Sequence, residues 1–134
     1  MGSSPSSSSY LLLFKNAGPA THAHLTADEQ AELMRRWNAW YDGLAAKGKV
    51  DHGQPLALAG RVVSMREGRI VDGPYAETKE AVGGYFMLRV ADLDEATAIA
   101  RECPGLPLGV TVEVRPVAAV SPVLEGVRGR PPAR

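Results

Sequence analysis

The chain is nearly without cysteine: Cys103 is the one thiol in 134 residues. A single thiol closes no internal disulfide and builds no multi-cysteine metal site, which excludes a secreted cystine scaffold. Net charge of either sign is also missing. Fifteen Lys and Arg balance fifteen Asp and Glu, so binding by blanket neutralisation of phosphates is not expected, and no nucleic-acid partner is assigned. No apolar run approaches the ~20 residues that span a bilayer, so no membrane partner is assigned. The serine-rich start lacks the basic end and apolar centre of a signal peptide. There is no Walker loop, dinucleotide fingerprint, His-Glu-x-x-His or Gly-x-Ser-x-Gly elbow. Neither a cofactor nor a metal is therefore expected. What is left is one cytoplasmic domain, of a length that buries enough surface to fold without staples.

Residues 1–9 hold almost nothing to bury and are expected to form a disordered arm. Residues 118–134 contain Pro122, Pro131, Pro132, Gly126 and Gly129, with three arginines against Glu125. They read as a C-terminal tail, either solvated or touching phosphates. The working domain is residues 10–117.

Within it, Tyr10-Leu11-Leu12-Leu13-Phe14 is a continuous apolar run, the pattern of a strand covered on both faces. Thr26-Ala27-Asp28-Glu29 is a capping box. It opens a helix over residues 27–47, along which Leu33, Trp37, Trp40, Tyr41 and Leu44 make one stripe. Extended segments are expected at 54–59, 61–66 and 69–71, with a hairpin at Glu67-Gly68 and a second turn at Asp72-Gly73-Pro74. Residues 84–90 form the strongest strand. Asp92-Leu93-Asp94-Glu95 caps a second helix that Pro104-Gly105 stops. Val110, Val112 and Val114 alternate with polar residues as a half-buried final strand.

The order predicts an α+β fold: a ferredoxin-like βαββαβ sandwich with an extra hairpin. Helices cover only one face of such a sheet, yet strands 10–14 and 84–90 are apolar on both. A second copy packed sheet to sheet covers the other face, so a homodimer is expected.

Few residues carry chemistry. His22 and His24 precede the first helix, either as solvated loop residues or as half of a metal site. His52 follows Asp51. Because neighbours on a strand point to opposite faces, Asp51 is not expected to orient it. His52 would instead serve as acid or base with a carboxylate from elsewhere, or simply stand at a strand end. Asp72 either starts its turn by bonding its own backbone or is held by the Gly-Pro turn at the rim of a cleft. Trp37, Trp40 and Tyr41 are core residues first, but the stripe is wide enough for one of them to line a pocket between helix and sheet.

Val71-Asp72-Gly73-Pro74-Tyr75-Ala76-Glu77-Thr78-Lys79-Glu80, followed by Gly83-Gly84-Tyr85-Phe86, resembles the signature of the YCII-related proteins of the DGPF type. Tyr75 stands where that signature has phenylalanine. The resemblance continues through Asp92-Leu93-Asp94-Glu95-Ala96 and Val112-Glu113-Val114-Arg115-Pro116-Val117. It implies a dimeric α+β barrel of ferredoxin-like protomers. It also implies a regulatory or stress role, since genes of this type often accompany extracytoplasmic-function sigma factors. More distant YCII-like proteins are enzymes, among them a dehydrochlorinase of a chlorinated hydroxyquinol, and use a His–Asp pair. The position of that histidine falls near Trp37, where this chain has none, whereas Asp72 matches through the loop motif.

Two functions follow. The first is a small-molecule-binding homodimer with a regulatory role. The second is a cofactor-independent lyase or isomerase in which Asp72 is acid or base, assisted by His52 or His24. Trp37, Tyr41, Tyr75 and Tyr85 are the candidate ligand-packing residues in either.

Overall fold

A computed structural model describes residues 8–16, 22–57, 59–74 and 81–129. Its elements run β1 (Ser8–Asn16), α1 (Ala27–Ala46), β2 (Val50–Pro55), β3 (Arg61–Arg66), β4 (Arg69–Pro74), β5 (Ala81–Val90), α2 (Leu93–Ala100) and β6 (Thr111–Pro116). The fold is mixed α+β. Four strands form one antiparallel sheet in the order β2-β5-β1-β6, and β3 pairs with β4 in a separate two-stranded sheet. The two most apolar strands, β1 and β5, take the two central places, where neither has an open edge. They pair from Ser8–Val90 to Asn16–Ala81.

Both helix starts form as the sequence chemistry requires. Thr26 Oγ1 accepts from the Glu29 N–H while the Glu29 carboxylate accepts from the Thr26 N–H. Asp92 accepts from the Glu95 N–H, and Glu95 reaches back to the Ala91 N–H. Each pair satisfies donors that a helix N-terminus leaves free. Glu95 also pairs with Lys49, which ties α2 to the start of β2.

Side chains alternate along β1. Leu12 and Phe14 enter the core with Phe86, Leu88 and Val90 of β5, together with Ala96, Ile99 and Ala100 of α2. Leu44 is the one buried residue of α1. The rest of that long helix meets the sheet through half-buried Trp37, Trp40 and Tyr41. Cys103 is buried beside α2. Burial pushes its thiol up from the ordinary value, against the opposing pull of the Gly105 and Leu106 N–H groups. It is a packing residue.

Several boundaries differ from the sequence reading. β1 begins at Ser8, inside the arm expected to be disordered, and β5 begins at Ala81, three residues before its expected start. The second strand starts at Val50, four residues earlier than expected, because Val50 pairs with Leu88 and is buried while Asp51 and His52 face outward. Those polar residues hid an edge strand with one wet face. Asp72-Gly73-Pro74 is not a turn but the end of β4, where Asp72 pairs with Val63, Gly73 with Val62 and Pro74 with Arg61. Proline is tolerated there because both strands of a two-stranded ribbon are edges, and its missing donor leaves no ladder unsatisfied. Residues 118–129 close on themselves through a Val120–Arg128 bridge. Tyr75 and the loop signature that follows it lie outside the described residues.

Two glycines test this packing. A Cβ at Gly53 would stand 2.6 Å from Phe86 Cδ1 and 2.7 Å from the Tyr85 carbonyl, while one at Gly43 meets nothing within 4 Å. Gly53→Ala is expected to cost about 1–3 kcal/mol through overpacking. Gly43→Ala, in the interior of α1, is expected to gain about 0.5–1 kcal/mol. Urea unfolding of both variants checks the opposite signs. A second prediction concerns acid. The Ala91 N–H, and then Lys49, hold the Glu95 carboxyl below its ordinary value. A carboxyl lowered on folding stabilises above its unfolded pKa, and that stabilisation is lost as pH falls through the folded value. Glu95→Gln should therefore melt below the wild type at neutral pH, and the gap should close on acidification; a gap independent of pH would refute this.

Candidate functional site: an aromatic-walled cavity between helix and sheet

The aromatic stripe of α1 and the two phenylalanines of the sheet interlock. Phe14 contacts Trp37 edge to face at 4.9 Å between ring centroids and Phe86 at 4.9 Å. Trp40 lies 5.0 Å from Phe86, and Tyr41 lies 5.2 Å from it. Such pairs contribute about 0.5–1.5 kcal/mol each beyond their burial. They also act as spacers. Bulky rings hold α1 off the sheet, and where the sheet presents glycine nothing fills the gap.

The result is a cavity of about 490 Å³, within the usual range for a small-molecule site. Phe14, Trp37, Tyr41, Phe86 and Val110 form its apolar walls. Gly53 and Pro55 of β2 and Gly83 and Gly84 of β5 form the sheet side. A Cβ at Gly84 would come within 3.0 Å of the Gln54 carbonyl, so this close approach of β2 and β5 requires glycine. His22, Asn38 and Gln54 are the polar lining residues. No carboxylate and no Lys or Arg lines the cavity among the described residues. A shallower groove shares His22 and Trp37 and runs along α1 past Leu33 and Met34.

The structure distributes the sequence candidates over three places. Trp37 and Tyr41 line the cavity; Trp40 packs behind them with its Nε1 buried and unpaired among the described residues. His52 and Tyr85 lie on the opposite face of the sheet. Tyr85 alternates with Gly84 and Phe86, and its hydroxyl is 3.1 Å from His52 Nδ1. Asp51 pairs with Arg89 through two hydrogen bonds of 3.1 and 2.9 Å and does not orient His52. Asp72 is exposed on β4 of the separate hairpin, and its side chain makes no hydrogen bond or ion pair among the described residues. His24 is exposed in the turn before α1. The described residues include no cluster of three or more metal-ligating side chains. No helix among them is long and apolar enough to cross a membrane.

Sequence reasoning missed Asn38 and Gln54, and it favoured His24 where His22 borders the cavity. Asn38 was visible as the polar neighbour of Trp37 on the helix. Nothing local separates His22 from His24, because the turn between them decides which one faces inward.

A mixed α+β domain with an aromatic-walled cavity between its long helix and its sheet is thus the class of protein at hand. Residues 10–120 match the YCII-related domain, and the chain belongs to that family. It is also similar to an uncharacterised protein of Rhizobium meliloti (strain 1021), at 31% identity over 118 residues that cover 84% of this chain and 94% of that protein.

The aromatic contacts generate one expectation here. Phe14 is buried and touches Trp37, Trp40 and Phe86. Phe14→Ala should destabilise by about 3–5 kcal/mol and shift tryptophan emission to the red, because both indoles lose their shared packing partner. Denaturant titration followed by fluorescence reads both effects, and a loss below about 1 kcal/mol would show that the cluster is not cooperative.

Proposed function

We propose that the protein is a small-molecule-binding homodimer with a regulatory role, built from ferredoxin-like protomers that pair sheet to sheet. The observation that carries the binding reading is the cavity. It is concave, walled by four aromatic rings and edged by a few polar groups, which is the usual composition of a ligand pocket. Its lining suits a compact, largely apolar molecule of low charge. The acid–base alternative has less support: among the described residues no carboxylate lines the cavity, and the paired His52 and Tyr85 stand on the other side of the sheet.

The dimer reading is supported by the face of the sheet that the helices leave open. Leu11 pairs across to Met87, and Leu13 to Tyr85, all half-buried at its centre. Ion pairs flank that centre, Lys15–Glu113 at 2.7 Å on one side and Arg89–Asp51 at 2.9 Å on the other. An apolar middle with a charged rim is the anatomy of a self-complementary interface. The regulatory reading rests on the resemblance to DGPF-type proteins, whose genes often accompany extracytoplasmic-function sigma factors.

A thermal-shift screen with small aromatic molecules tests the binding reading. A ligand at one hundred times its Kd adds about 2.7 kcal/mol of stability, which moves the melting temperature by several degrees. Asn38→Ala, at an exposed position of α1, should fold normally and weaken the shift. A hit whose shift survives both Asn38→Ala and Tyr41→Ala lies elsewhere and overturns the assignment. For the dimer, light scattering at micromolar concentration should give twice 14.3 kDa for the wild type and a single protomer for Leu13→Lys. A monomeric wild type refutes the sheet-to-sheet pairing.

A further inference from the structure

The hairpin β3–β4 is the least explained part of the fold. Nearly every described side chain in it is exposed, and its strands bond to each other instead of to the main sheet. Pairing puts Val63 opposite Asp72 and Met65 opposite Ile70, so these four share one face. On that face Val63 is 66% exposed, Met65 66% and Ile70 74%. The other face, with Val62 at 53% and Val71 at 39%, is more covered. A lone two-stranded ribbon is marginal in water, and contiguous exposed apolar side chains mark a surface that something covers.

Where the hairpin is rooted says what covers it. One stalk leaves β2 at Pro55, a lining residue of the cavity, and the other leaves β5 at Ala81, two residues before the lining Gly83 and Gly84. The Leu56 N–H still bonds the Gly83 carbonyl at 2.9 Å, so the first stalk starts against β5 at the cavity. From Leu56 to Arg61 is five Cα steps, at most about 17 Å of extended chain. The hairpin is thus tethered within its own length of the opening, at a high effective concentration. The chemistries also match. The cavity offers aromatic walls and the polar edge of His22 and Asn38, without a carboxylate among its described lining; the hairpin offers three apolar side chains and Asp72.

We propose that the β3–β4 hairpin is a flap that folds in cis over the aromatic cavity, laying Val63, Met65 and Ile70 on its mouth and bringing Asp72 to the polar edge that holds His22 and Asn38. Closure removes the ribbon's apolar face from water and brings an acidic group to a cavity whose described lining has none. A ligand with a hydroxyl or amine able to donate to Asp72 is then preferred over its purely apolar analogue. The inference rests on the binding reading for the cavity, but its test does not need a ligand.

Cysteine pairs in a Cys103→Ala background read the closure directly. Asn38→Cys is combined with Val63→Cys, on the flap face, or with Val62→Cys, on the opposite face, and each variant is oxidised with copper phenanthroline. The Val63 pair should form an intramolecular disulfide about ten-fold faster than the Val62 pair, as expected when one face is held near its partner. Equal rates, or no link at all, overturn the proposal. A link mainly between two chains overturns it as well, and gives the hairpin to a second copy. If circular dichroism shows that this pair has not folded, His22→Cys with Ile70→Cys makes the same measurement. Binding of 1-anilinonaphthalene-8-sulfonate to the wild type, followed by energy transfer from the adjacent Trp37 and Trp40, reports on the cavity separately. Dye binding without cross-linking leaves the pocket standing and removes only the flap.

Discussion

The ring cluster of Phe14, Phe86, Trp37, Trp40 and Tyr41 is what the rest of the structure depends on. One strand, a neighbouring strand and the long helix each contribute, and their rings lie about 5–6 Å apart at angles that aromatic quadrupoles favour. Because Leu44 is the one buried residue of α1, these contacts are the main attachment of that helix to the sheet. They also set its distance from the sheet. Smaller aliphatic residues would let the helix settle closer and close the gap; two indoles and a phenol cannot.

The cavity follows from this spacing together with the glycines beneath it. Gly53 and Gly84 are demanded by close approach between β2 and β5, not by a turn. Having no side chains, they leave the sheet bare where the helix stands furthest off. One constraint, the tight pairing of two strands, therefore produces the floor of the pocket, and another, the bulk of the helix stripe, produces its roof. The same two strands carry the hairpin, so the pocket and its proposed cover are parts of one local design.

Much of the fold was legible because its determinants are local. Thr26 and Glu29, and Asp92 and Glu95, lie three residues apart, and each pair forms the cap its spacing implies. The apolar runs of β1 and β5 put them in the middle of the sheet. The edge strand β2 was misplaced because Asp51 and His52 look like loop residues unless Arg89 and Tyr85 are known to stand beside them. The end of β4 was misread for a related reason: Asp-Gly-Pro is turn chemistry in isolation, and only Val62 and Arg61 opposite it make it a strand. Of the site, Trp37 and Tyr41 were legible from helical spacing. His22 was not, since His24 two residues on has the same character and faces elsewhere; Gln54 was not, since only the pairing of β2 with β5 brings it to the cavity.

By itself the sequence determined the elements, their caps, the apolar faces and the family signature, because hydrogen bonds within one turn and side-chain periodicity act over a few residues. It also determined that charge is balanced and that a lone thiol closes no internal disulfide. Only the tertiary structure decided which candidates meet. Asp72, His52 and Trp37 lie 15 to 35 residues apart, and chain connectivity places them on a hairpin, on an outer sheet face and in a cavity wall. Strand pairing inverts the face of every second side chain, so the side of the sheet on which a residue works is a property of register, which no short stretch of sequence encodes.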